Sequence, residues 1–342
     1  MANNLRINRL PTLPKGVQNA LGAIGMLPFI IAACFLFFGL WEPRFVSGEN
    51  LFNVVRQSSY LIVVCMGQMI VLLTGGIDLS VGSGVALVSV VTAIVMTAVI
   101  GSDPTAIGLS IAAGIAAGIG AGAAVGIVNG IGVSILRVTP FVMTLGTFSM
   151  ALGLALFITG GYGVYGMPTQ FGNIFAYATL FGIPVPILYA ALMYIALYVV
   201  LNWTRVGRYF YALGSNRQAA RLSGINTGFH LIIAYIVAGL VVGVAGVLLT
   251  ARVETGLATL GGADLVLKAI AACVIGGVSL AGGRGLLRNV VMGAFFITLL
   301  SNGMNLLRID NYFQMFILGA VLVLAIAADQ LRLRFIGQLK VD

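Results

Sequence analysis

Charge is what this sequence has least of. Of 342 residues, 18 are Lys or Arg and 9 are Asp or Glu, so 8% are charged, where a soluble domain carries about 25%. With 60% hydrophobic residues, a hydrated exterior cannot be built. That excludes a cytosolic globular enzyme and a disordered chain alike. Cysteine is scarce too. Cys34, Cys65 and Cys273 form an odd, widely spaced set inside apolar runs, which fits neither a disulfide framework nor a metal site. Such thiols pack as small hydrophobes. The single histidine, His230, opens an apolar run with no second His or Cys nearby, and reads as an interfacial side chain. No Gly-x-x-x-x-Gly-Lys-Ser/Thr loop is present to cradle phosphates. No clustered nucleophile, metal set or acid pair marks a membrane-embedded enzyme.

What is abundant is apolar sequence. Runs at about 20–40, 55–74, 79–100, 107–128, 140–160, 184–201, 230–250, 264–280, 287–306 and 312–328 approach the length of roughly 17–25 residues that crosses a bilayer. The run Ile107 to Val128 has no polar alternation, so these are helices and not barrel strands. The expectation is an all-α polytopic membrane protein of about ten spans. With the N-terminus cytoplasmic, inner segments hold 13 basic residues against three acids, and outer segments five against six. That positive-inside asymmetry predicts both termini in the cytoplasm. The organisation expected is a cytoplasmic tail over 1–19, one transmembrane domain over 20–328 and a cytoplasmic tail over 329–342. The stretch Ile31-Ala32-Ala33-Cys34 looks like a lipoprotein cleavage site, but the run stays apolar through Leu40, so the first span is read as retained. The longest inner loop, 202–229, is too short for a domain. ATP hydrolysis or solute capture would therefore need separate chains.

Glycine fills 46 positions, nearly twice the usual share of roughly 7%. Gly114, Gly118, Gly122, Gly126 and Gly130 recur every fourth residue along one helical stripe, which predicts close backbone approach by a neighbouring helix, with a glycine-lined conduit as the other reading. Other glycines interrupt helices, near 75–82 and 276–285. Irregular backbone at membrane depth survives only when buried in protein or lining a cavity, and paired breaks point to a transport site. Asp78 lies in the first break. An aspartate costs about 3 kcal/mol at the centre of a membrane helix, so it needs a job. It is placed to cap the following helix through the N–H of Ser80 or Val81, and equally to touch solute or a gate; the two are compatible. No second intramembrane acid accompanies it, which weakens any proton- or sodium-coupled mechanism. Asp264 and Lys268, one turn apart, should form a local pair.

The inner loop 202–229 carries a short helix between Ser215 or Asn216, which can cap it, and Gly224, which can end it. A helix of two turns is not stable alone. It is ordered either by a partner's groove or by its own loop, and local physics leaves both open. The string Gly214 to Ile225, with Asn216, Ala219, Ala220, Ser223 and Gly224, resembles the coupling loop of membrane subunits in the ribose/simple-sugar family of ABC importers. Gly75 to Gly82, then Asn129-Gly130, Thr139 to Thr147 and Gly276 to Gly285 resemble further segments of that family, in order and over nearly the whole chain. Arg137, near a span end, stands as a departure.

The resemblance implies a permease subunit in a bacterial inner membrane, paired with a second copy or a homologue. It implies two ATP-binding-cassette subunits docked on Gly214, Asn216, Ala219, Ala220, Ser223 and Gly224. It also implies a periplasmic or extracellular solute-binding protein, with no cofactor or catalytic residue in this chain. The solute-pathway candidates are Asp78, Ser80, Ser83, Asn129, Thr144, Thr147, Asn302 and Asn305. These are mostly neutral groups, which suit a sugar or polyol better than an ion, and each also serves as ordinary interhelical glue. A permease for branched-chain amino acids or nucleosides, or a secondary carrier, is the competing expectation.

Overall fold

A computed structural model describes residues 27–338, with side-chain placement through residue 327. The expected N-terminal tail, the first residues of the first apolar run and the last four residues lie outside the described residues. Among the described residues, twelve helices longer than a single turn carry the fold: α1 (Leu27–Trp41), α2 (Gly48–Leu73), α3 (Val81–Ser102), α4 (Ile107–Ser134), α5 (Pro140–Thr159), α6 (Val185–Trp203), α7 (Arg205–Ser215), α8 (Arg217–Leu222), α9 (Thr227–Val253), α10 (Gly262–Ile275), α11 (Leu287–Leu306) and α12 (Asn311–Gln338).

Seven of them, α2 to α6, α9 and α11, are long and apolar enough to cross a membrane. The apolar runs read as first and tenth spans appear as the shorter apolar stretches Leu27–Trp41 and Asn311–Ala327. The eighth is α10, whose 14 residues reach only about 21 Å at 1.5 Å per residue, short of the roughly 30 Å hydrocarbon core. Helix α2 starts earlier than its apolar run, because Ser47 Oγ accepts from the N–H of Asn50 and launches a polar first turn that hydropathy passes over. The loop 161–183 is also more ordered than its sequence suggests. It holds a single helical turn (Thr169–Gly172) running into a π turn (Asn173–Tyr177), then a two-residue hairpin pairing Thr179 with Pro184. The hairpin turns through Phe181 and Gly182, both at positive φ.

Helix α2 is the axis of the core. From Ser58 to Leu73 nearly every side chain is buried, against α9, α10 and α11. Large apolar side chains such as Leu36, Leu40, Phe157 and Leu192 instead lie exposed on the outside, as lipid-facing residues do.

The glycine stripe of α4 packs as tightly as its spacing requires. A Cβ on Gly122 would lie 2.7 Å from Gly243 Cα, and one on Gly239 would lie 3.0 Å from Gly126 Cα, so α4 and α9 touch backbone to backbone. Gly114 and Gly118 face Met96 and Thr92 of α3. One stripe thus serves two neighbours, and among the described residues it encloses packing contacts and not a conduit. Arg137 occupies the left-handed region (φ 57°) as the chain turns from α4 toward Pro140, a conformation that costs a non-glycine residue roughly 1–2 kcal/mol.

Gly122→Leu should abolish the α4–α9 contact, since the atoms in the way are backbone and cannot rotate aside. We expect loss of monodisperse protein on size-exclusion chromatography in detergent. Gly120→Leu, where a side chain meets open space, should leave the elution profile unchanged.

Candidate functional site

The two glycine-rich breaks end their helices in the same way. After α2, Gly75 takes φ +82° and donates to Leu72 O, while Gly76 donates to Val71 O. After α10, Gly277 takes φ +79° and donates to Val274 O, while Val278 donates to Cys273 O. Each is a Schellman stop, which satisfies the last carbonyls of the helix and turns the chain sharply.

Beyond the first stop lies a buried polar cluster. Asp78 is 5% exposed, and its Oδ1 accepts from Ser80 N (2.8 Å) and Ser80 Oγ (2.6 Å). Ser80 Oγ in turn accepts from Asn129 Nδ2 of α4 at 2.8 Å, and Ser83 Oγ donates to Ser80 O. Thr144 Oγ1 of α5 lies 3.1 Å from Ile77 O and 2.9 Å from Pro140 O, so it bridges the break to α5. Two buried polar atoms here lack a protein partner: Asn129 Oδ1 and the hydroxyl of Tyr235, which stands against Gly76. An unpaired buried polar atom is costly, so this cluster keeps hydrogen-bonding capacity in reserve.

The pathway candidates therefore separate. Asp78, Ser80, Ser83, Asn129 and Thr144 come together. Thr147 donates to Met143 O within its own helix. Asn302 exchanges a reciprocal amide pair with Asn50, both bonds 2.9 Å, and Asn305 accepts from Gln314 Nε2 at 2.8 Å. Asn50 is 23 residues from Leu73 along α2, about 35 Å on an ideal helix, so the two asparagines belong to the opposite end of the bundle. Asp264 and Lys268 form the expected i,i+4 pair at 2.6 Å. Among the described residues, no group of His, Cys, Asp and Glu could hold a metal ion.

The loop 202–229 reaches both breaks. At the end of α7, Gly214 has no room for a side chain: a Cβ would run into Leu73 O and Gly283 N. Gly283 N donates to Leu73 O at 2.9 Å, joining the second break to the end of α2. A Cβ on Gly282 would lie 2.8 Å from Gly75 Cα and 2.9 Å from Gly214 Cα, so three backbones meet at one point. Tyr211 OH donates to Gly285 O at 3.0 Å, and burial pushes its pKa up, which keeps it a donor. Helix α8 follows: Asn216 Oδ1 accepts from Ala219 N at 2.9 Å, Ser223 Oγ donates to Ala219 O, and Gly224 (φ +82°) ends it. Ala220 is buried beneath its own loop, whereas Ala219 is exposed and Leu222 is 83% exposed. Local composition carried no signal for Tyr211, whose bond spans 74 residues. Tyr235, a lone hydroxyl in an apolar run, could have been picked out.

Comparison with known proteins bears on the whole chain. Residues 50–326 match the family model described as branched-chain amino acid transport system / permease component. The chain is similar to the D-allose transport system permease protein AlsC of Escherichia coli K12, 37% identical over 89% of this chain and 90% of that one. It is 38% identical to the ribose import permease protein RbsC of Bacillus subtilis 168, over 92% and 94%. Against the galactose/methyl galactoside import permease protein MglC of Escherichia coli K12 the identity is 32%, over 91% and 94%. No solved structure matches.

Removing the acceptor at Asp78 leaves the Ser80 N–H and hydroxyl unpaired, at a cost of about 1–3 kcal/mol. Asp78→Ala should lower the thermal unfolding midpoint in detergent by several degrees, and Asp78→Asn, which keeps an acceptor oxygen, should recover most of it. Gly214→Ala should be more damaging than either, measured in the same assay.

Proposed function

The chain belongs to the permease-component family whose model spans residues 50–326, and on that premise we propose that it is the membrane subunit of a sugar importer driven by ATP hydrolysis on a separate chain. The observation that carries the mechanism is the three-backbone contact of Gly214, Gly282 and Gly75. It links an exposed loop helix to both helix breaks through atoms too close to slide independently.

In this reading α8 is the docking helix for an ATP-binding-cassette subunit. Leu222 and Ala219 face the partner, while Ala220, Asn216, Ser223 and Gly224 hold the helix in shape. Movement of the docked subunit is passed through α7 to the segment 74–80 and to 276–286. There the cluster around Asp78, Ser80 and Asn129 rearranges between two faces of the membrane. The Schellman stops are natural pivots, because each concentrates the direction change in one glycine. The membrane orientation proposed is termini inward with ten crossings, in a bacterial inner membrane. Three of those crossings would be α1, α10 and the apolar stretch Asn311–Ala327 of α12, kept in place by packing on their neighbours. A solute-binding protein delivers the solute from outside, and a second permease copy or homologue completes the assembly.

The sugar assignment rests on relatives whose names state ribose, allose and galactose transport. The cluster's neutral hydroxyls and amides suit such solutes; the matching family model is described by branched-chain amino acid transport, but the relatives matched over nearly the whole chain are sugar permeases. A secondary carrier would need no motor, so uptake in proteoliposomes should depend on ATP and on the cassette subunit. ATP-independent uptake would refute the importer reading.

The docking surface is tested by Leu222→Glu combined with Ala219→Glu. This pair should end co-purification of the cassette subunit while leaving the permease's own elution profile and membrane yield intact. Retained co-purification would move the docking site elsewhere.

A further inference from the structure

A second polar site lies in the other half of the bundle, away from the helix breaks. Helices α2, α9, α10 and α11 line a half-open cavity of about 170 Å³, and each of them contributes both aliphatic and polar side chains to it. The polar ones are Gln57, Tyr60, Arg252, Lys268, Thr298 and Ser301. Tyr60 lies 13 residues before Leu73 on α2, which puts the cavity about 20 Å along the helix from the contact with Gly214 and close to the middle of α2. Arg252, one residue before the end of α9, places the cavity toward the end of the bundle far from Gly214.

The polar groups here are set up for hydroxyls. Ser301 Oγ is buried and has no hydrogen-bond partner. Thr298 Oγ1 donates to Ala294 O, which leaves its lone pairs free to accept. Tyr60, 3% exposed, forms no hydrogen bond through its phenol among the described residues. The two cations are engaged: Lys268 Nζ is 2.6 Å from Asp264 Oδ2, and the Arg252 guanidinium lies 5.2 Å from the centre of the Tyr60 ring. The Arg252 backbone is itself held, its carbonyl accepting from Tyr177 OH at 2.7 Å. Lys268 is neutralised by Asp264, while Arg252 keeps its charge and can donate hydrogen bonds. Donors and acceptors interleaved with aliphatic carbon suit a ring that carries both hydroxyls and C–H groups. The volume is below the roughly 300–1,000 Å³ of sites for drug-sized ligands, so the occupant is small.

We propose that this cavity is a transit subsite for a single neutral monosaccharide, contacted by Tyr60, Gln57, Thr298 and Ser301 and distinct from the cluster at Asp78. The proposal rests on the sugar-importer reading above.

The test uses the assembled importer in proteoliposomes, with the cassette subunit and solute-binding protein present and labelled D-ribose, D-allose and D-galactose as probes. Ser301→Leu fills the cavity and should cut import of the transported sugar at least tenfold, while the cassette subunit still co-purifies. Tyr60→Phe, which removes one hydroxyl, should raise the KM for import about fivefold or more. Unchanged import in both variants overturns the subsite and leaves the importer reading standing. Import of none of the three sugars by the unaltered importer overturns both. Gln57→Cys supplies a second measurement should Ser301→Leu fail to assemble, because Gln57 is partly exposed whereas the native thiols at Cys34, Cys65 and Cys273 are buried. Its labelling by N-ethylmaleimide should slow at least threefold in the presence of the imported sugar. No slowing overturns the subsite, and equal slowing by inorganic phosphate replaces the neutral sugar with an anion.

Discussion

A backbone N–H or C=O buried in protein has no water to turn to, and the two interrupted helices of this chain are organised around that fact. Each interruption exposes carbonyls and amides that a continuous helix would have satisfied. Part of the debt is met locally by the paired Schellman stops at Gly75 and Gly277. The remainder is met across the structure. Gly283 N reaches Leu73 O, Thr144 reaches Ile77 O, and Asp78 takes the amide and hydroxyl of Ser80. Because each break is completed by atoms from other elements, neither can move alone.

The loop 202–229 is tied into that interdependence. Helix α8 by itself is six residues and would not persist in water. It is held by its own cap at Asn216, its stop at Gly224 and the buried Ala220, and it is joined through α7 to a point where no side chain fits. Glycine at Gly214 and Gly282 is therefore a condition of contact: any Cβ would separate the loop from the breaks. The same logic, applied along a whole helix face, lets α4 lie against α9 through Gly122, Gly126, Gly239 and Gly243. Helices in lipid gain little from hydrophobic burial against one another, so such backbone proximity and its dispersion contacts take over much of the role.

Legibility in the sequence followed the range of the interaction. Helical character, the breaks, the Asn216 cap, the Gly224 stop, the Asp78–Ser80 bond and the Asp264–Lys268 pair are all local, and each is written within a few residues. Helix α2 was read too short because its first turns are polar and are held by the Ser47 cap, which hydropathy does not register. Among the pathway candidates, residue type alone treated Asn129 and Asn302 alike. Folding sends the first to Ser80 and the second to Asn50, at opposite ends of α2. The cavity bounded by Tyr60, Arg252 and Ser301 had no sequence signature, since its walls come from four helices and its polar residues are spread over more than two hundred positions.

By itself the amino-acid order determined the solvent this protein lives in, where its helices stop and which stretches carry family motifs. These follow from composition, from period and from hydrogen bonds closed within a turn or two. Tertiary structure alone decided which polar groups share a site, that Ala220 faces inward while Leu222 faces out, and that one loop touches both breaks at once. Those outcomes depend on distances between residues far apart along the chain. Such distances are set only when the glycine-faced helices have closed on each other and the volume between them has been shared out.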